Sequence, residues 1–167
     1  MIRVYETVLN DTGVPELQCI KQINAERNAL SIRDTAHLLK DELYIATLVD
    51  EHVYLVGYNQ RLEVVGIFPV SIGDYSSSGI YNRKIVDFIV LSGATSFVIF
   101  HNHSSQILIP SKEDCDSVAI LRTISALIQT DFMGSFIISK AGWISVEEPD
   151  IIHAWDEEEE DFEEDAE

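Results

Sequence analysis

The sequence predicts an α/β domain in which a mixed β-sheet is flanked by helices. Apolar runs of strand length alternate with segments whose apolar residues recur at helical spacing, and turn-forming residues join strand-like runs into hairpins near both ends. Hydrophobic residues make up 46% of the 167 positions, enough for one domain with its own core.

Residues 2–9 and 17–23 read as two strands around the turn-rich Asn10-Asp11-Thr12-Gly13-Val14-Pro15. A helix follows over 31–40, with Ser31 or Asn28 as its cap and Ala36, Leu38 and Leu39 on its apolar side; the reading extends it through 43–49. Strands at 53–58 and 62–69 flank Asn59-Gln60-Arg61, a hairpin by turn chemistry. The Ser- and Gly-rich stretch 71–79 is expected to be a mobile loop near a substrate groove. Ile85, Phe88, Ile89 and Leu91 give 81–92 a helical period that Gly93 closes. Phe97, Val98, Ile99 and Phe100 form a run suited to a strand buried on both faces. Residues 112–130 are the second long helix, with Val118, Leu121, Ile124 and Leu127 at helical intervals, and 136–139 with 143–146 form a last hairpin.

The central strand ends in chemistry. His101 and His103 are two apart, so on an extended backbone both imidazoles project to one side and can share a metal ion. Pro110-Ser111-Lys112-Glu113-Asp114 has the form of a helix start, with Ser111 as N-cap and Asp114 three residues on, so a strand end and a helix start meet. Two neutral imidazoles, one carboxylate and a fourth position left to water are the ligand set of a catalytic zinc site. Taken singly, a buried histidine is as readily a core residue, and Ser-x-x-Asp a simple cap.

The unbroken pattern His-x-His, seven residues, Ser, two residues, Asp resembles the signature of the JAMM metallopeptidases of the MPN-domain class. With Asn102, Ser105 and Pro110, it is similar to the bacterial RadC-like JAB domain, usually worded HNHPSG, a short loop and PSxxD. Glu51, Gly73 and Arg83 match upstream parts, and the resemblance covers about residues 1–148. It implies an MPN/JAB, cytidine deaminase-like fold, zinc held by His101, His103 and Asp114, and Glu51 as the general acid/base. Glu42 and Glu63 lie nearby in sequence; the resemblance alone prefers Glu51. Ser111 would donate to a developing oxyanion while capping its helix. Ser104 and Gln106 replace the family's Pro and Gly, and Gly134-Ser135 stand where the family has Asp-His. The helix-hairpin-helix region that precedes the domain in full-length RadC proteins is missing from these residues.

Composition constrains the rest. The formal charge is -18, and from 156 to 167 every residue except Phe162 and Ala166 is acidic, which leaves -8 for the body. Strong nucleic-acid binding is therefore not expected, since it needs clustered Lys and Arg. The division is a domain over 1–150 and an acidic, disordered tail over 151–167, a solubilising end or a docking strip for a basic partner. There is no signal-peptide layout and no apolar stretch near the ~20 residues that span a bilayer, so a cytoplasmic protein is expected. Cys19 and Cys115 read as ordinary thiols. The leading expectation is a zinc-dependent hydrolase of peptide or isopeptide bonds. The alternatives are an inactive MPN-type scaffold, whose mark would be a missing ligand or Glu, and a DNA-repair factor, as the RadC label suggests. The His-x-Glu and Pro-Cys-x-x-Cys of zinc deaminases are absent.

Overall fold

The structure, a computed structural model, describes residues 1–25, 30–73 and 78–155. The possible cap Asn28, the middle of the 71–79 loop and the acidic run 156–167 lie outside the described residues. The elements are β1 (Ile2–Leu9), β2 (Pro15–Ile23), α1 (Ile32–Leu43), a 3₁₀ turn (Ile45–Thr47), β3 (His52–Tyr58), β4 (Val64–Ile72), α2 (Ser78–Ser92), β5 (Ser96–Asn102), α3 (Lys112–Leu127), β6 (Asp131–Ser139), β7 (Gly142–Ser145) and β8 (His153–Ala154). The eight strands form one sheet in the order β2-β1-β4-β3-β5-β6-β7-β8. Its β1–β4 and β5–β6 pairs are parallel and the others antiparallel, so the sheet is mixed as expected.

Alternation along the strands divides the core between the two faces of the sheet. Tyr54, Val56, Val98, Phe100 and Ile138 pack toward α1 with Ala36, Leu39 and Ile45. Val53, Leu55, Phe97, Ile99 and Ile137 pack toward α2 and α3 with Ile85, Phe88, Val118 and Leu121. Every residue of β5 is buried. Phe97, Val98, Ile99 and Phe100 each contribute about 1.5–3 kcal/mol by burial. A one-residue slip would exchange the residues packed against the two cores and carry His101 to the α1 side, away from α3, so the register fixes where His101 points.

The structure corrects one predicted element. The first helix does not run on to residue 49: Tyr44 takes a left-handed φ of 56° and donates its N–H to Leu39 O, and the chain then tightens into the 3₁₀ turn. Burial overrides helical continuity here, because the turn puts Ile45 and Ala46 into the core at 0% and 2% exposure. Other differences are of extent. β4 runs through Pro69 to Ile72, with a register shift against β3 opposite this proline, which has no N–H to donate. α3 stops at Leu127, and Gln129, with φ 55°, turns the chain into β6, which starts at Asp131 in parallel with Ser96. Past residue 150 the chain adds β8, and Trp155 Nε1 donates to Ser139 O at 2.9 Å. Among the described residues, no helix is long and apolar enough to cross a membrane.

Candidate metal centre

The centre forms where β3 begins and β5 ends. Val53 pairs with His101 across these antiparallel strands, so the residue before His52 lies beside the end of β5. His101 follows Phe97 and Ile99 on the α3 face; Asn102 points the opposite way. His103 lies just past the strand, in a turn where Gln106 N donates to His103 O at 2.9 Å. The chain then returns to Ser111, which caps α3 and presents Asp114 from its first turn.

The cap fixes the carboxylate. Asp114 Oδ2 accepts from Ser111 N at 2.7 Å and from Ser111 Oγ at 2.8 Å, while Asp114 N donates to Ser111 Oγ at 3.1 Å. Asp114 Oδ1 lies 3.1 Å from His101 Nε2, and Oδ2 lies 3.3 Å from His103 Nε2. The two Nε2 atoms are 3.2 Å apart. Three donors bound at roughly 2.0–2.1 Å around a tetrahedral ion would stand about 3.3 Å from one another. The Nε2–Nε2 separation and the distance from each Nε2 to its own Asp114 oxygen therefore fall near the donor spacing of a zinc site, and two imidazoles with a carboxylate leave a fourth position open. Among the described residues, these three form the cluster of His, Cys, Asp or Glu suited to a metal.

Protonation fits the same reading. His103 Nδ1 is 3.0 Å from Ile107 O, and a carbonyl can only accept, so Nδ1 carries a proton and Nε2 faces the cluster, where it can hold either a proton shared with Asp114 or a metal ion. Burial alone would push the Asp114 carboxyl up, but hydrogen bonds from His101 and His103, with the Ser111 backbone, hold it well below the usual carboxylate range. His103 is raised, first by its hydrogen bond to Asp114, against burial, with smaller contributions from Ile107 O and the charges of Asp114 and Glu51.

Glu51 lies two residues before Val53, whose antiparallel pairing with His101 sets the backbone at 51 opposite His103. Glu51 is half-buried, its carbonyl accepts from Gly73 N at 2.8 Å, and it shares the odd-numbered, α3-facing phase of Val53 and Leu55. The structure does not bring the other two glutamates there. Glu63 lies beyond Tyr58 at the far end of β3, where it accepts from Asn59 Nδ2 at 2.7 Å. Glu42 is on α1, across the sheet. Arg83 is exposed on α2 and pairs with Asp87 at 3.5 Å.

Residues 29–151 match the RadC-like JAB domain. The chain belongs to that family. Its similar relatives include the UPF0758 protein of Chlorobium phaeovibrioides, 28% identical over 125 residues that cover 75% of this chain and 55% of the relative. Another is the UPF0758 protein of Clostridium tetani, 29% identical over 125 residues, 75% of this chain and 54% of the relative. The chain spans about half the length of the curated relatives it matches.

Within this RadC-like JAB domain, two departures from the expected wording have local explanations. Gln106 adopts φ 62°, the left-handed conformation a glycine enters most easily, and its Oε1 accepts from Lys140 N at 3.0 Å. The turn thus keeps a glycine-like backbone, and the side chain ties it to the end of β6. Gly134 has φ 137° and lies where β5 and β6 shift register between Phe97 and Ile99, a bulge that a residue with a Cβ would strain. Sequence reasoning counted Asn102 in the motif but gave it no role. It is 0% exposed, its Oδ1 accepts from His52 N at 2.8 Å, and its Nδ2 donates to Leu48 O at 3.2 Å and Asp50 O at 3.0 Å. The available signal was a polar residue held inside a buried strand with its partners undeclared.

Proposed function

We propose that this domain is a zinc-dependent hydrolase of amide bonds, a JAMM-type metallopeptidase or isopeptidase. The observation that carries the proposal is the convergence of His101 Nε2 and His103 Nε2, 3.2 Å apart, on the Asp114 carboxylate, whose Oδ1 lies 3.1 Å from the first and Oδ2 3.3 Å from the second, with Glu51 just before β3, the strand that pairs with β5. Zinc held there would polarise a carbonyl and lower the pKa of a bound water to about 7.

The chain's own groups supply the remainder. Glu51 takes the water proton and returns it to the leaving amine, a transfer worth about 10²- to 10⁴-fold. Ser111 holds Asp114 through two hydrogen bonds to Oδ2, so its hydroxyl proton is committed to the carboxylate in this arrangement. Donation to an oxyanion requires that proton to swing away while the backbone N–H keeps the cap. The substrate class is a peptide or an isopeptide-linked protein, and the acidic run after residue 155 favours a basic partner over a polyanion.

Metal analysis of the purified chain, followed by Glu51→Gln against a pool of peptide and isopeptide substrates, tests the reading. One zinc per chain is expected in both proteins, with hydrolysis by the variant lower by about 10² to 10⁴ and Glu63→Gln unaffected. Full turnover by Glu51→Gln would remove the acid/base assignment. Tight metal binding with no cleavage of any substrate would make the domain a binding module.

A further inference from the structure

Asn102 stands between the two histidines in sequence and faces away from them. Its amide has one acceptor and two donor hydrogens in use, and all go to the backbone of 48–52, the segment with Glu51 near its centre. No helix or strand holds 48–51: the 3₁₀ turn has ended, β3 has not begun, and Val49 is 84% exposed. The β3–β5 ladder stops at Val53 and His101. One residue further on, the Asn102 side chain takes over, accepting the His52 N–H that the ladder leaves.

Resting on the hydrolase reading above, we propose that Asn102 is the positioning residue for Glu51, setting the height of the general base over the metal centre from the opposite face of β5. The strand end that presents His101 and His103 to the metal thereby also fixes the backbone that presents Glu51, so ligands and base share one rigid reference. An error of about 1 Å in such a placement costs about 10²-fold in rate. The geometry also selects the residue type. Aspartate would keep the acceptor for His52 N–H but would turn a carboxylate oxygen on Leu48 O and Asp50 O, and alanine would leave all three backbone groups without their partner.

The test uses the full chain loaded with Co²⁺, comparing wild type, Asn102→Ala, Asn102→Asp and a control, Tyr58→Phe. The control loses the buried Tyr58–Thr35 hydrogen bond of 2.7 Å on the same face, at the other end of β3. Visible absorption and Co²⁺ affinity read the ligand set; pseudocontact shifts of the Glu51 amide and hydrogen exchange at His52 N–H read the segment. Both Asn102 variants should keep the tetrahedral cobalt spectrum and an affinity within about threefold of wild type. They should shift the Glu51 amide and expose His52 N–H, and Tyr58→Phe should do neither.

On a cleaved substrate, kcat should fall about 10- to 10²-fold with KM unchanged. Asn102→Ala added to Glu51→Gln should lose less than about threefold more, because a residue that acts through Glu51 has nothing left to position. An unmoved Glu51 amide, a further tenfold loss in the Glu51→Gln background, or loss of cobalt affinity in step with rate would overturn the proposal. If Asn102→Ala does not fold, Asn102→Asp is judged by the same criteria. If wild type cleaves nothing, the hydrolase reading falls, and the Glu51 shift on cobalt still decides the positioning.

Discussion

Helices α1 and α3 open with the same device. Ser31 N and Oγ donate to Asp34 Oδ2 at 3.0 and 2.9 Å, and Asp34 N returns to Ser31 Oγ at 3.1 Å. Ser111 and Asp114 repeat this geometry at 2.7, 2.8 and 3.1 Å. The difference lies in what each carboxylate faces. Asp114 is 4% exposed and meets two imidazoles delivered by β5, whereas Asp34, on the other side of the sheet, belongs to no such three-residue cluster among the described residues. The local pattern Ser-x-x-Asp therefore specifies a helix start; the end of the strand just upstream, β5, turns one of the two copies into a candidate metal ligand.

Paired substitutions can break or sharpen that comparison. The largest contrast is expected for Asp114→Asn against Asp34→Asn. The first removes a charged ligand and should weaken metal retention by more than the roughly 10- to 100-fold typical of losing a group that only supports a ligand, and the second should leave it unchanged, as read by competition with a chelator. Equal effects would mean that the α3 cap contributes no ligand. Next come Ser111→Ala and Ser31→Ala. Each should cost about 1 kcal/mol of stability in a denaturant titration as its cap is lost. Ser111→Ala alone should also lower metal affinity, by about 10- to 100-fold, because it frees the carboxylate to rotate.

The smallest contrast is one of pH in the metal-free chain. The Asp114 carboxyl is depressed when folded, so its contribution is present above the unfolded value of 3.8 and lost as pH falls below it. His103 is raised when folded, so its contribution is complete below 6.5 and lost as pH climbs through its folded value. The stability gap between wild type and Asp114→Asn should thus be widest between about pH 4 and 6.5 and shrink on either side. A gap independent of pH, measured by thermal melts against Asp34→Asn as baseline, would show that the imidazoles do not share charge with Asp114.

Much of this was legible because it is local. The continuous apolar run Phe97 to Phe100 announced β5, the two-residue spacing put His101 and His103 on one side, and the cap chemistry of Ser111 placed Asp114 at the start of α3. The end of α1 was not legible, since Tyr44 breaks the helix to bury Ile45 and Ala46 in a core assembled from later strands. Asn102 was silent for the same reason: its partners precede it by 50 to 54 residues. Choosing Glu51 over Glu63 on physical grounds needs the direction of β3, which no local pattern encodes.

The pairing of Val53 with His101, 48 positions apart, bears on the chain's life in a cell as well as on the proposed chemistry. An unfolded chain offers a metal only the adjacent histidines, because Asp114 joins them after α3 docks and Glu51 after β3 pairs. A cation that prefers the assembled triangle therefore binds the native state and not its precursors, and at a hundred times its dissociation constant it adds about 2.7 kcal/mol to folding. Metal supply would then set the chain's lifetime: starved of zinc, it opens more often, and proteases that cut open chains clear it sooner.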